Sequence, residues 1–266
     1  MVSTLAVVCM VISLLLCVAV PITAMVVVCK KTECKFIAVA AGIIGFLVMQ
    51  LFIRMSVLQY LTYAGYMDIL AQNFLLYILV LAVSAAVCET FARWATMKLM
   101  LRGKLSYHSS MAHGIGHGGI EAVTLVGFTM AANLVVLLMA NSNTASPGID
   151  TAVSTLASVQ PYEFLLGGIE RVLTMCVQIG LSVMVALGIV TKRRRWIWIA
   201  IGFHTALDFF AVLLAQMVGT VAAEILIAVF AALAIIFIVK AKGLFESMQS
   251  NTPDALSQAY ISKNRG

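Results

Sequence analysis

Seven long apolar runs, parted by short polar stretches, constrain this chain more than any other feature of its sequence. They fall at about 3–28, 36–53, 69–92, 110–139, 165–190, 196–217 and 220–239. A helix needs roughly 20 mainly apolar residues to cross the hydrocarbon of a bilayer. The expected fold class is therefore all-α: a polytopic membrane bundle of about seven transmembrane helices. Composition agrees. Only 11% of the 266 residues are charged and 62% are hydrophobic, against about a quarter charged in a soluble domain, and the mean hydropathy is +1.06. Such a surface cannot face water, which excludes a soluble enzyme, a nucleic-acid-binding domain and a disordered chain. The first run is too long for the apolar core of a signal peptide and no small-residue cleavage site follows it, so it is expected in the mature protein. Pro21 predicts a kink within it. Segment 55–67 is aromatic and amphiphilic, and reads as an interfacial or short re-entrant piece.

The net charge of +6 sits in clusters between the runs, so it reports orientation rather than an anionic polymer partner. Lys30, Lys31 and Lys35 follow the first run, and Lys98, Arg102 and Lys104 the third. Lys192, Arg193, Arg194 and Arg195 follow the fifth, and Lys240 and Lys242 the seventh. The alternate loops carry Arg54 alone. By the positive-inside rule the amino terminus lies outside and the carboxyl terminus in the cytoplasm. The expected organisation is one membrane domain, 1–242, followed by a polar, partly disordered cytoplasmic tail, 243–266. Loop 140–164, rich in Ser and Thr, is expected to form an external cap or short helix. The six cysteines (Cys9, Cys17, Cys29, Cys34, Cys88, Cys176) form no C-x-x-C pair and read as small buried hydrophobes.

Ionisable residues inside hydrocarbon are costly, so each is a functional hypothesis. Glu89 and Arg93 end the third run. The fourth opens with M-A-H-G-I-G-H-G-G-I-E-A, which holds His113, His117 and Glu121. Glu170 and Arg171 belong to G-G-I-E-R in the fifth, and His204 and Asp208 to F-H-T-A-L-D in the sixth. Residues four apart share a helix face, so His113/His117/Glu121, His204/Asp208 and Glu89/Arg93 form three stripes. Counted at ~1.5 Å per residue, His117, Glu121, His204 and Asp208 reach similar depths in the cytoplasmic half, with Glu89 a turn or two shallower. Glu170 and Arg171 sit higher and, being adjacent, need not pair. Gly114, Gly116, Gly118 and Gly119 clear space for a neighbouring helix or a substrate backbone.

A carboxylate and an imidazole in a dry pocket can activate water, the acid taking a proton and the imidazole stabilising an oxyanion. Neither G-x-S-x-G nor H-E-x-x-H occurs, so neither a nucleophile elbow nor the usual zinc-peptidase helix is supported. The run G-I-G-H-G-G-I-E-A-V-T-L-V-G at 114–127 resembles the YhfC-type membrane proteins. These are grouped with the glutamic intramembrane proteases, beside PrsW-type proteases and the type II CAAX prenyl endopeptidases. The resemblance covers about 85–210. It matches Glu89 and Arg93 to an E-E-x-x-(x)-R element, His117 and Glu121 to a second-helix element, and His204 and Asp208 to a late H-x-x-x-[ND] element. Glu170 and Arg171 match its G-G-I-E-R feature. The first element is Glu89-Thr90 here, which leaves one carboxylate of the usual two.

The resemblance implies a hydrolase of peptide bonds without metal or cofactor. In it Glu89 or Glu121 acts as base, His117 and His204 polarise, Asp208 orients His204, and Arg93 holds a carboxylate. It further implies a peptide or membrane-protein substrate and a bacterial plasma membrane. Two other readings stand beside it. The same His, Glu and Asp side chains could carry a divalent metal or protons through a transporter, although the sequence lacks the inverted halves of many secondary transporters. They could equally pack a non-catalytic scaffold. Residue by residue, Glu89/Arg93 could be an i, i+4 ion pair, Glu170/Arg171 a structural clamp, and His113 a solvated interfacial side chain.

Overall fold

The computed structural model describes residues 2–31, 36–141 and 147–250. Within them the chain forms eleven α-helices and no strand: α1 (Thr4–Lys31), α2 (Ile37–Phe46), α3 (Met55–Tyr63), α4 (Tyr66–Ala71), α5 (Phe74–Met100), α6 (Tyr107–Ala122), α7 (Phe128–Asn141), α8 (Pro147–Ser158), α9 (Pro161–Val190), α10 (Arg195–Met217) and α11 (Thr220–Ser250). A π-helical stretch, Leu47–Arg54, joins α2 to α3, and another, Val123–Gly127, joins α6 to α7. Seven helices are long and apolar enough to cross a membrane: α1, α2–α3, α5, α6–α7, α9, α10 and α11.

The seven expected runs are all present, with shifted ends. The second continues through the π-helical stretch to Tyr63, so most of segment 55–67 extends a span instead of forming a separate re-entrant piece. The third starts at Phe74, later than expected, because the Asn73 side chain caps it by accepting from Leu76 N at 3.1 Å. Ser106 and Ser109 form a reciprocal cap that starts α6. Gly65, at φ +79°, turns the chain between α3 and α4, where a Cβ would be strained. α1 runs unbroken through Pro21. The expected short helix of loop 140–164 is α8, and α11 passes the anticipated boundary at 242. Tail residues 251–266, loop residues 142–146 and Cys34 lie outside the described residues. The described cysteines are all unpaired.

The bundle buries a polar cluster within an apolar core and is apolar outside as well. Glu89, Arg93, His113, His117 and Ser182 are buried, whereas Leu15, Phe52, Leu138, Trp198 and Val239 are exposed. So many exposed large apolar side chains suit a lipid exterior. Lipid tails remove any hydrophobic gain from helix association, so close packing of small residues must hold the helices together. α9 is the axis, with α1, α5, α6, α10 and α11 packed on it.

The glycines of α6 make its close approaches. A Cβ on Gly116 would collide with the Val39 backbone of α2, one on Gly114 with the Ile179 backbone of α9, and one on Gly119 with Pro21 of α1 at 2.8 Å. Gly118 faces Met175 and Gln178 of α9. Of the two uses foreseen for this cluster, helix contact accounts for all four. Tyr107 packs on Phe245, its hydroxyl donating to Ile238 O at 3.1 Å, and Trp196 packs on Phe237. The basic turns before α6 and before α10 therefore share one end of the bundle with the close of α11.

Candidate active site

α5, α6, α9 and α10 bring their polar side chains to one point. Counted at ~1.5 Å per residue from the basic end, Glu89 lies ~17 Å along α5, His117 ~15 Å along α6 and His204 ~14 Å along α10. Glu89 is thus level with the histidines, not shallower. The His117 Nε2–Glu89 Oε2 distance is 3.0 Å.

All the contacts of Glu89 fall on one oxygen. Oε2 meets His117, accepts from Arg93 Nη2 at 3.3 Å and from Gln178 Nε2 at 3.4 Å, and lies 4.0 Å from His204 Nε2. None of them uses Oε1, and Glu89 lines a cavity of about 420 Å³. Arg93 and His117 are fully buried behind that wall. Phe46 presses edge-on against the His117 ring, with centroids 5.2 Å apart. His117, Arg93 and Gln178 thus hold one oxygen of the Glu89 carboxylate, and the other makes no hydrogen bond with the described residues.

Glu121 is held differently. Its Oε1 accepts from Arg171 Nη1 at 3.0 Å and its Oε2 from Gln178 Nε2 at 2.5 Å, so both oxygens are engaged. Arg171 also pairs with Glu170. The two neighbours thus do pair, with Arg171 clamping two carboxylates. Gly168, in the same G-G-I-E-R element, accommodates Ser13 of α1, whose hydroxyl donates to Phe164 O. His204 Nε2 lies 3.4 Å from Asp208 Oδ2, and the Asp208 side chain, 33% exposed, opens on the cavity. His113 is not interfacial. It is fully buried between Thr96 Oγ1 (2.9 Å) and Ser182 Oγ (3.3 Å), away from the cavity.

Sequence reasoning missed Gln178, which donates to Glu89 and Glu121 and accepts from Arg93. An amide in the middle of the apolar run C-V-Q-I-G, seven residues beyond Arg171 and hence on its face, is the signal that could have found it. It also missed Arg54, read as a loop cation but buried within a span. Gln50, Arg54, Phe74 and Tyr77 carry the cavity wall toward the end of α5 remote from the basic turns. The cavity therefore extends beyond the half of the bundle in which the site was expected.

Comparison with known proteins bears on this geometry. The profile described as "YhfC intramembrane metalloprotease" matches residues 16–231, which take in every side chain of the cluster. The chain belongs to the YhfC family. An uncharacterized membrane protein YhfC of Bacillus subtilis (strain 168) is 31% identical over 173 residues, 61% of this chain and 67% of that one. No solved structure matches the chain.

The YhfC description implies a metal, which the sequence reading did not expect. The residues fit one. Glu89, His117 and Glu121 each offer a ligand atom, all within 4.8 Å of one another, and His204 Nε2 adds a second nitrogen 4.0 Å from Glu89. Histidine nitrogen with carboxylate oxygen is a donor set that catalytic zinc sites use. His117 Nδ1 and His204 Nδ1 are buried without a partner, so neither ring is committed through both nitrogens.

Proposed function

We propose that this YhfC-family chain is an intramembrane endopeptidase that hydrolyses a peptide bond in the cavity between α5, α9 and α10. The observation that carries the reading is the one-sided environment of Glu89. His117, Arg93 and Gln178 fix Oε2, and Oε1 is left over the cavity as a proton acceptor. A base must reach its water at hydrogen-bond distance and be held there. Glu121, with both oxygens engaged, instead sets the position of Gln178 and Arg171. His204, oriented by Asp208, faces the same space and supplies an imidazole to the developing oxyanion.

Glu89, His117 and Glu121, with His204 adjoining, would hold a divalent ion, Glu121 giving up or sharing a contact with Gln178 or Arg171 to do so. Such an ion, when bound, polarises the carbonyl and eases deprotonation of water. The glutamic alternative assigns the same chemistry to the side chains alone. The proposal places the chain in a plasma membrane as a multi-pass protein, its basic turns and carboxyl terminus cytoplasmic, with a peptide or membrane-protein substrate.

The test is turnover of quenched fluorescent apolar peptides by the full chain in lipid nanodiscs. Glu89→Gln should remove turnover. Because it also takes the carboxylate from buried Arg93, it should lower the unfolding temperature, so turnover is read per folded molecule. Undiminished cleavage by this variant would refute the assignment. Stoichiometric ion flux in proteoliposomes without peptide cleavage would favour the transporter reading.

A further inference from the structure

We propose that Arg54 forms a second subsite in this cavity, one that binds a carboxylate carried by the substrate. The inference rests on the peptidase reading for the identity of the ligand, but not for the site itself. Arg54 is only 9% exposed. Its Nε donates to Ser84 Oγ at 3.1 Å and its Nη2 to Leu81 O at 2.9 Å, both on α5. Those bonds fix the plane of the guanidinium and leave Nη1 without a hydrogen-bond partner among the described residues.

Among the described residues no carboxylate lies within ion-pair distance of Arg54, whereas Arg93 has Glu89 and Arg171 has both Glu121 and Glu170. A buried cation without a close counter-charge is disfavoured. Asp208, on the same cavity, reaches Arg54 only through longer-range attraction, which leaves an ion-pair position beside the guanidinium for an anion that arrives from outside. The other cations cannot serve it. Arg93 is behind the wall, and Arg171 is held by Glu121 and Glu170. One turn before Arg54, Gln50 also lines the cavity, and its buried Oε1 has no partner. It is an acceptor suited to a peptide N–H. Both side chains stand on the π-helical stretch Leu47–Arg54, a backbone form frequent at functional sites.

Spacing along α5 sets the ligand's register. Leu81 and Ser84 precede Glu89 by eight and five residues, or about 8–12 Å along the axis. An extended peptide advances about 3.3 Å per residue. A bond aligned with Glu89 would thus place the carboxylate two to four residues away, either as an acidic side chain or as a chain terminus.

The experiment measures binding, not turnover. Dye-labelled Leu/Ala octapeptides are titrated against the full chain in phosphatidylcholine nanodiscs by anisotropy. One pair differs only in a terminal acid or amide, the other only in an internal Glu or Gln with the terminus amidated. In the wild type the acid of at least one pair should bind about tenfold more tightly than its neutral twin, as a charge-assisted hydrogen bond would give. The pair that responds identifies the source of the carboxylate. Arg54→Gln should bring that ratio to about one with the neutral twin unaffected, and Arg54→Lys should keep part of it.

Equal binding of both twins to the wild type overturns the proposal whether or not a variant folds, as does a preference that survives Arg54→Gln. Loss of the preference when phosphatidylglycerol enters the nanodisc would mark a lipid phosphate as the occupant, and also overturns it. A preference without any cleavage would overturn the peptidase reading and not this subsite. Cleavage without a preference would do the opposite.

Discussion

Gly116→Ala tests whether helix packing sets the geometry of the site. Gly116 faces α2, and a Cβ there would overlap the Val39 carbonyl oxygen while standing 2.9 Å from its carbonyl carbon and 3.0 Å from its Cα. All three are backbone atoms, so no rotamer change relieves the clash. The helices must part by roughly 1 Å in an interior packed too densely to absorb it. Alanine gains about 1 kcal/mol of helix propensity over glycine, whereas overpacking costs about 1–3 kcal/mol and occasionally more. With carbonyl and Cα both in conflict the larger cost applies, and the expected net loss is about 2 kcal/mol. His117 is the next residue and moves with the helix. Its 3.0 Å contact with Glu89 would open to about 4 Å, beyond hydrogen-bond range. A misplacement of that size costs about a hundredfold in rate. Thermal unfolding in nanodiscs and peptide turnover per folded molecule would be measured beside Gly202→Ala, where a Cβ meets nothing within 4 Å and no loss is expected. A Gly116→Ala protein as stable and as active as Gly202→Ala would refute the reasoning.

Other expectations follow from the same contacts. Gln178→Leu removes the donor shared by Glu89 and Glu121 and the acceptor of Arg93; it should lower stability by about 3–5 kcal/mol, as breaking a buried charged network does, and abolish cleavage, read by denaturant titration and peptide assay. His113→Ala should cost about 1–3 kcal/mol for the buried polar partners it leaves, yet preserve turnover of the folded fraction, because His113 lies off the cavity. Dialysis against a chelator should abolish turnover and a divalent ion should restore it, with metal content followed by elemental analysis; cleavage that persists without metal would return the mechanism to the carboxylate and imidazoles alone.

What the sequence made legible was whatever has a period or a cost. Hydrocarbon thickness makes each span visible as a run of about 20 apolar residues, and the price of burying charge singled out Glu89, His117, Glu121, His204 and Asp208. The stripes at i, i+4 were correct as helix geometry. What they could not convey was which helix each stripe faces. Thus His113 and His117, on one stripe, have separate partners: Thr96 and Ser182 for the first, Glu89 for the second. Arg54 was legible as a cation but not as a buried one, because the π-helical stretch that carries α2 into α3 leaves no mark in hydropathy. Gln178 escaped because a neutral amide among aliphatic residues costs little on any charge-based reading.

The polar cluster leaves several of its buried groups unmet, and this separates a site from a structural network. A network that only joined helices would satisfy every member, since a half-satisfied buried network is worse than none. Glu121 and Arg171, which line the cavity, are bonded to each other and to Gln178 and Glu170, whereas behind the wall Arg93 Nε and Nη1 and His117 Nδ1 have no partner among the described residues. Other unmet groups stand on the cavity itself. Glu89 keeps one oxygen outside all its contacts, His204 keeps Nδ1 unpartnered, Gln50 keeps Oε1 unpartnered, and Arg54 has no carboxylate within ion-pair distance among the described residues. These unmet groups line one space of about 420 Å³ or, like the Nδ1 of His204, belong to residues that do. They include both acceptors and a cation, the combination that a peptide with its N–H groups and a carboxylate would complete, and that a metal ion alone would not.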